Sequence, residues 1–161
     1  MMRIGSGYDV HRFGPGDHVM LGGQRIPHSR GVAAHSDGDV LLHALMDAML
    51  GAAGAGDIGQ HFPPGDARYA GADSRVLLAE VVRIVAARGF EVENCDLTLV
   101  AEVPRIAAWR EAICAGIAQG LGIERSRVNL KATTAEGLGA LGRSEGIAAQ
   151  AIVLLREGDS A

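Results

Sequence analysis

Cysteine is scarce in this chain: among 161 residues there are two, Cys95 and Cys114. They lie far apart with no Cys-x-x-Cys spacing, which argues against a disulfide framework or a thiolate zinc knot. Both read as buried, reduced thiols suited to a cytoplasmic protein. Aromatic residues make up only 4% of the chain, and no Lys/Arg run is interleaved with them. With a formal net charge of -4, that pattern gives no footprint for nucleic acid. No stretch reaches the roughly 18 uninterrupted apolar residues of a membrane span, and the N-terminus has no charged segment leading into an apolar run. Repeats, low-complexity tracts and linkers are missing as well. What remains is an ordinary globular composition, 48% hydrophobic and 21% charged, of a length that fits one domain over residues 1–161.

Periodicity supplies the elements. Met2 to Val10 reads as a strand, and Val19 to Leu21 with Gln24 to Ile26 reads as a hairpin, because Gly22-Gly23 can supply the positive φ angles of a two-residue turn. Ser36 and Asp37 are N-cap candidates for a helix to about Gly51, apolar on nearly every side and therefore buried. A second helix runs from about Ser74 to Arg88 and stops at Gly89; Phe90 to Ala101 follows as a strand. Pro104 is expected to open a third helix, with Ile106, Trp109, Ile113, Ile117 and Leu121 as its apolar stripe. Val128, Leu130 and Ala132 alternate in one closing strand, and Gly146 to Leu155 forms the other. Strands interleaved with helices predict an α/β sandwich: a mixed four-stranded sheet with helices on one face, plus the short hairpin near the N-terminus.

Within this frame Asp9-Val10-His11 stands out. Side chains two apart on a strand point to one side, so Asp9 and His11 can converge on one ion. His43, arriving from a helix, would complete an Asp-His-His set with one coordination position open, the ligand count of a catalytic zinc. The bland alternatives are a turn-capping aspartate with a surface histidine, and a core His43 bonded to Asp39 or Asp47 at four-residue spacing. The same two carboxylates are candidates for orienting a metal-bound His43.

Further motifs keep company with this set. Ala34-His35-Ser36-Asp37-Gly38-Asp39 leads into Leu42-His43-Ala44. Then come Gly56-Asp57-Ile58-Gly59 with Phe62-Pro63, and Gly71-Ala72-Asp73-Ser74. Near the end stand Lys131-Ala132-Thr133-Thr134 with Glu136, and Gly142-Arg143-Ser144-Glu145-Gly146. In that order and at those separations, over almost the whole chain, the sequence resembles the 2-C-methyl-D-erythritol 2,4-cyclodiphosphate synthase family of the non-mevalonate isoprenoid pathway.

The resemblance implies a phosphorus-oxygen lyase that closes a ring. The 2-phosphate of a cytidine-diphosphate-linked methylerythritol attacks the β-phosphorus, and CMP leaves. It further implies a zinc ion on Asp9, His11 and His43, and a second divalent ion, magnesium, on Glu136. His35 and Thr134 become the transition-state stabilisers, with Ser36 beside them on the phosphates. Asp57, Ile58 and Gly59 would orient the methylerythritol hydroxyls, with Phe62 and Asp66 in the neighbouring loop. Ala101, Pro104, Arg105 and Ile106 would take the cytidine, while Lys131, Ala132 and Thr133 approach the diphosphate. A homotrimer with sheets packed inward and active sites between subunits is implied too, and its central cavity could hold an isoprenoid diphosphate near Arg143.

Local sequence leaves plainer readings open: Thr133-Thr134 as a strand end, His35 as a surface residue, Arg143 paired with Glu145. His18, His28 and His61 match no ligand position. This chain departs from the family pattern at Ser6, Pro64-Gly65 and Ala140-Leu141. Two other functions fit parts of the pattern. A zinc-dependent phosphate-ester hydrolase would use the same three ligands to activate water. A noncatalytic trimeric binder of isoprenoid diphosphates would need Arg143 but neither Thr134 nor Glu136.

Overall fold

The computed structural model describes residues 1–158. Its centre is a five-stranded sheet in the order β4-β1-β7-β5-β6. These strands are β1 (Met2–Gly14), β4 (Gly31–Ala33), β5 (Phe90–Val100), β6 (Val128–Thr133) and β7 (Gly146–Glu157). The β5–β6 pair is parallel and all other pairs are antiparallel. The sheet thus has one strand more than the four expected. The extra one, β4, is three residues long and sits on the edge, too short to carry any alternation. The hairpin β2 (His18–Leu21) and β3 (Gln24–Pro27) turns at Gly22 and Gly23, whose φ angles of 58° and 77° are both left-handed.

Helices α1 (Val40–Ala53), α3 (Ser74–Ala87) and α4 (Arg110–Leu121) cover one face of the sheet, and α2 (Ile58–His61) and α5 (Gly139–Gly142) are single turns. Helix α1 is buried along nearly its whole length, as its sequence foretold. Its cap is Asp39, however, rather than Ser36 or Asp37. The wholly buried Asp39 carboxylate receives the N–H groups of Gly22, Gly23 and Leu42, tying the hairpin turn to the helix start. Nothing local to residues 36–39 reveals that partner.

The third helix also differs. Pro104 does not open α4, which starts at Arg110. Ile106 is nevertheless 2% exposed, so residues 101–109 form a loop pinned down by one apolar anchor. Apolar spacing cannot tell such an anchored loop from a helical turn.

How close α1 lies to the sheet is set by two glycines in β1. A Cβ on Gly5 would come within 2.0 Å of the Ala48 carbonyl oxygen, and one on Gly7 within 1.9 Å of the Ala44 oxygen. Backbone therefore packs on backbone. Beyond the glycines, Asp9 and His11 continue along the same face and come under the first turns of the helix. On the opposite face of the sheet no helix packs among the described residues, and Ile4, Tyr8 and Val10 are 72, 59 and 50% exposed. Both cysteines are free and buried, and burial pushes the Cys95 thiol up to about 12. No helix among the described residues is long and apolar enough to cross a membrane.

Two glycines should respond oppositely to alanine. Gly7→Ala is expected to destabilise the fold by about 3 kcal/mol or more, since the clash is with a carbonyl that cannot move without the helix. Gly51→Ala, in α1 where an added Cβ meets nothing within 4 Å, should stabilise by about 0.5–1 kcal/mol. Urea denaturation of the two variants reads both, and equal midpoints would contradict this account of the packing.

Candidate functional site

Among the described residues, Asp9, His11 and His43 form the one group of three or more His, Cys, Asp or Glu side chains placed to hold a metal ion. Asp9 Oδ2 lies 2.9 Å from His11 Nε2 and 3.0 Å from His43 Nδ1, and the two nitrogens are 3.0 Å apart. The other carboxylate oxygen, Oδ1, accepts the Val10 N–H at 2.9 Å, which turns Oδ2 toward the imidazoles.

This triangle suits a cation better than it suits protons. If both nitrogens donate to Asp9, two N–H groups face each other across 3.0 Å; a single positive ion satisfies all three lone pairs at once. The edges fall near the about 3.3 Å of a tetrahedron with metal bonds of about 2.0–2.1 Å. Charge points the same way. Burial opposes ionisation of Asp9, but hydrogen bonds from His11 and His43 outweigh it and hold the carboxyl well below the ordinary range. Burial likewise opposes a charged His43, and its contact with Asp9 reverses that, raising the imidazole above its ordinary value. The site attracts positive charge, and a metal ion bound there would take the place of the Nδ1 proton.

The far side of His43 decides which nitrogen is available. Its Nε2 lies 3.0 Å from Ser74 Oγ and 3.2 Å from Ser36 Oγ. Ser74 Oγ in turn stands 2.5 Å from Asp37 Oδ1, while the Ser74 N–H donates to Asp37 Oδ2 at 2.9 Å. A carboxylate can only accept, so the single hydroxyl proton of Ser74 goes to Asp37. Toward His43, Ser74 must then accept. Nε2 therefore carries a proton, and Nδ1, facing Asp9 and His11, is the nitrogen that would offer its lone pair to a metal on giving up its own proton. Neither Asp39 nor Asp47 orients His43: Asp39 caps α1, and Asp47 accepts the Ile58 N–H at 2.8 Å. The sequence offered no sign of the Ser74–Asp37 pair, because its members belong to different segments joined only by the fold.

A cavity of about 170 Å³ opens beside the triangle, mostly apolar, and His11, His35, Ser36, His43, Ile58, Gly59 and Phe62 are among its walls. Met46, Tyr69 and Leu77 also line it; sequence reasoning passed over them because they look like core. Asp57 borders this region as the cap of α2, its carboxylate holding Gln60. Asp66 pairs with Arg68 at 2.7 Å, and its carbonyl lies 3.3 Å from His35 Nε2.

A second cleft, of about 320 Å³, lies at the ends of β5 and β6. Ala101, Pro104, Arg105, Ile106, Ala132, Thr133 and Thr134 are all in its lining. Lys131 is not brought to it. It alternates with the buried Leu130 onto the open face of the sheet, where it is ion-paired with Asp96. Arg143 lines neither cleft and pairs with Glu145 at 2.6 Å. Glu136 is exposed on the loop after β6, with Oε1 3.5 Å from Thr134 Oγ1.

The two clefts are not continuous within one chain. Asp9 pairs with Ala149, Ala149 with Leu99, and Leu99 with Ala132. Strand spacings of about 4.8 Å put Leu99, at the near wall of the second cleft, roughly 10 Å from the metal triangle and Ala132 roughly 14 Å from it. Ala149 is buried between them, and Leu99, also buried, is already in the wall of the second cleft.

The family model described as the YgbB family matches residues 2–156. The chain belongs to the YgbB family. A 2-C-methyl-D-erythritol 2,4-cyclodiphosphate synthase of Pseudomonas aeruginosa (strain UCBPP-PA14) is 60% identical over 154 residues, covering 96% of this chain and 98% of that protein. The bifunctional IspDF of Campylobacter jejuni superimposes with a TM-score of 0.95 at 42% identity; the match covers 99% of this chain and 43% of that longer one. IspF of Plasmodium falciparum, solved as a CDP complex, gives a TM-score of 0.86 at 33% identity over 98% of this chain and 97% of that one. These matches carry the YgbB fold through the whole length over which the triangle and both clefts are built.

The Ser74 relay is open to a direct measurement. Ser74→Ala should weaken zinc affinity about 10–100-fold, the usual effect of removing a hydrogen-bond partner from a metal-bound imidazole. Ser36→Ala should leave it nearly unchanged. A competition titration giving Ser74→Ala the parent affinity would sink the tautomer argument.

Proposed function

We propose that this chain converts 4-(cytidine 5'-diphospho)-2-C-methyl-D-erythritol 2-phosphate to 2-C-methyl-D-erythritol 2,4-cyclodiphosphate and CMP. It acts as a metal-dependent phosphorus-oxygen lyase in isopentenyl diphosphate synthesis, in the cytoplasm. The observation that carries this reading is the Asp9-His11-His43 triangle at the mouth of a small apolar cavity. In the family's substrate a diphosphate joins a methylerythritol phosphate to cytidine.

The reaction balances without water. An oxygen of the 2-phosphate forms a bond to the β-phosphorus, the bond from that phosphorus to the α–β bridging oxygen breaks, and CMP departs with the electron pair. Since the substrate brings its own nucleophile, the chain has to supply fit, charge and in-line geometry. Zinc held by Asp9, His11 and His43, and magnesium held by Glu136, would act as Lewis acids on the phosphate oxygens.

The remaining roles belong to side chains and backbone. His35 and Ser36, on the rim of the cavity, donate hydrogen bonds to the phosphates; Thr134 does so from the second cleft, where charge builds at the transition state. Asp57 with the Ile58 and Gly59 backbone orients the methylerythritol hydroxyls, and Phe62 and Asp66 bound the loop beside them. Ala101, Pro104, Arg105 and Ile106 receive the cytidine, with Ala132 and Thr133 along the diphosphate. Lys131 keeps that last role only if it leaves Asp96.

Within a single chain the two clefts share no lining residue, and Ala149 is buried between them. We therefore assign the complete active site to neighbouring copies in a homotrimer whose open sheet faces pack inward. The exposed row of Ile4, Tyr8 and Val10 supports that packing, since contiguous apolar surface of this kind marks a protein contact.

Product analysis tests the reading. Incubation with substrate, zinc and magnesium should give cyclic diphosphate and CMP in equal amounts, with no solvent oxygen incorporated. Thr134→Val should lower kcat about 10–1,000-fold with little change in CDP affinity. Release of inorganic phosphate carrying oxygen from water would favour the hydrolase instead.

A further inference from the structure

The loop after β6 turns sharply at residues 135–138, where the Leu138 N–H donates to the Ala135 carbonyl at 2.8 Å. Its two central residues, Glu136 and Gly137, have φ angles of 52° and 73°. Two consecutive left-handed residues make a type I′ turn, which glycine adopts freely and a residue with a Cβ resists. Glutamate at such a position must be held there.

The amides of the turn show what holds it. The N–H groups of Ala135 and Gly137 both donate to Oε1 of Glu102, at 2.9 and 3.4 Å. The Glu136 N–H between them donates to Thr134 Oγ1 at 3.2 Å. Amides converging on one acceptor form a nest, a concavity that favours an anion. Here the anion is a side chain of the protein itself. Gly142 closes the other side, where a Cβ would come within 2.1 Å of the Gly137 backbone.

Glu102 sits on the loop that follows β5, in the wall of the second cleft beside Pro104 and Arg105. The preceding residue already joins the same two segments, because the Ala101 N–H donates to the Thr133 carbonyl at 3.0 Å. The Glu102 side chain extends that link beyond the end of the parallel ladder. Thr134 Oγ1 accepts the Glu136 amide and turns its own proton toward Glu136 Oε1, 3.5 Å away, so the hydroxyl and the carboxylate are set as a pair.

We infer that Glu102 is a positioning residue. Its carboxylate, seated in the nest of the Ala135 and Gly137 amides, locks Glu136 in the left-handed conformation and thereby sets where the Thr134 hydroxyl and Glu136 carboxylate meet the substrate's diphosphate. The inference rests on the function proposed above for its chemical consequence, and on the turn geometry alone for its structural one. It also makes the cytidine-binding loop and the phosphate-binding loop a single rigid unit.

Two variants test it, Glu102→Ala and Glu102→Gln, the second keeping an acceptor oxygen without the charge. Amide hydrogen exchange over residues 134–138, read without substrate, should accelerate about tenfold or more in Glu102→Ala and stay near the parent in Glu102→Gln. In the assay, Glu102→Ala should lose about 10–100-fold in kcat and need more magnesium for half-saturation, with zinc content unchanged; Glu102→Gln should recover most of both. Parental exchange in Glu102→Ala would overturn the inference. So would a Gln variant as impaired as the Ala variant, which would mean the carboxylate charge acts on the ligand directly. Loss of the folded state in Glu102→Ala would also count against it, since only local positioning is assigned to this exposed turn. If the parent protein makes no cyclic product, the proposed function fails while the exchange result still decides the clamp.

Discussion

The close seating of α1 on β1 is the constraint on which the rest of the structure depends. Gly5 and Gly7 remove the side chains that would otherwise keep helix and sheet a full layer apart. The same strand then changes character at Asp9 and His11, where side chains return and reach upward into space the helix has just vacated. His43, at the fourth position of α1, is delivered to them from above. The metal triangle is therefore a by-product of backbone packing. Its edges of 2.9 and 3.0 Å need no flexible loop to assemble them, which is how a site gains the stiffness that positioning chemistry needs.

Around that triangle the polar groups arrange themselves by what each can and cannot donate. Asp37 can only accept, so Ser74 must give it a proton; Ser74 then accepts from His43 Nε2, and the inward Nδ1 is the nitrogen left for Asp9 or for a metal. Asp39, two residues on from Asp37, does something unrelated: its buried carboxylate ties the hairpin turn to the helix start. Burial drives the Asp39 carboxyl up while histidine contacts drive Asp9 down. Neighbouring aspartates thus acquire opposite electrostatic characters from their surroundings. One is a structural hub; the other is a ligand waiting for a cation.

Features encoded within a few residues were legible in the sequence. The Gly22-Gly23 turn, the burial of α1 and the common face of Asp9 and His11 follow from local spacing, and the structure has all three. What escaped notice depends on contacts between distant segments or on elements too short to show a period. The helix cap fell on Asp39 because a hairpin supplies its other partners, and β4 was missed because three residues cannot display alternation. Pro104 misled for a related reason, since a single buried Ile106 gives a loop the look of a helical turn. Lys131 is instructive in another way. The alternation of Val128, Leu130 and Ala132 already placed it on the opposite face, and the family resemblance grouped it with Ala132 and Thr133 regardless. The local rule described the single chain better.

The separation of the two clefts connects these points to the proposed chemistry. Ala149 is buried in the sheet between the metal triangle and the second cleft, so on the proposed reading one chain carries two separate halves of the constellation. In the proposed trimer the apolar open face drives association, and association brings one copy's triangle to another copy's cleft. Catalysis and assembly then share a cause. Because the substrate carries both nucleophile and leaving group, the protein has only geometry and charge to contribute, and geometry set across an interface is as firm as the stiffest element on each side. On one side that element is α1 locked against β1; on the other it is the Thr134–Leu138 turn held by Glu102.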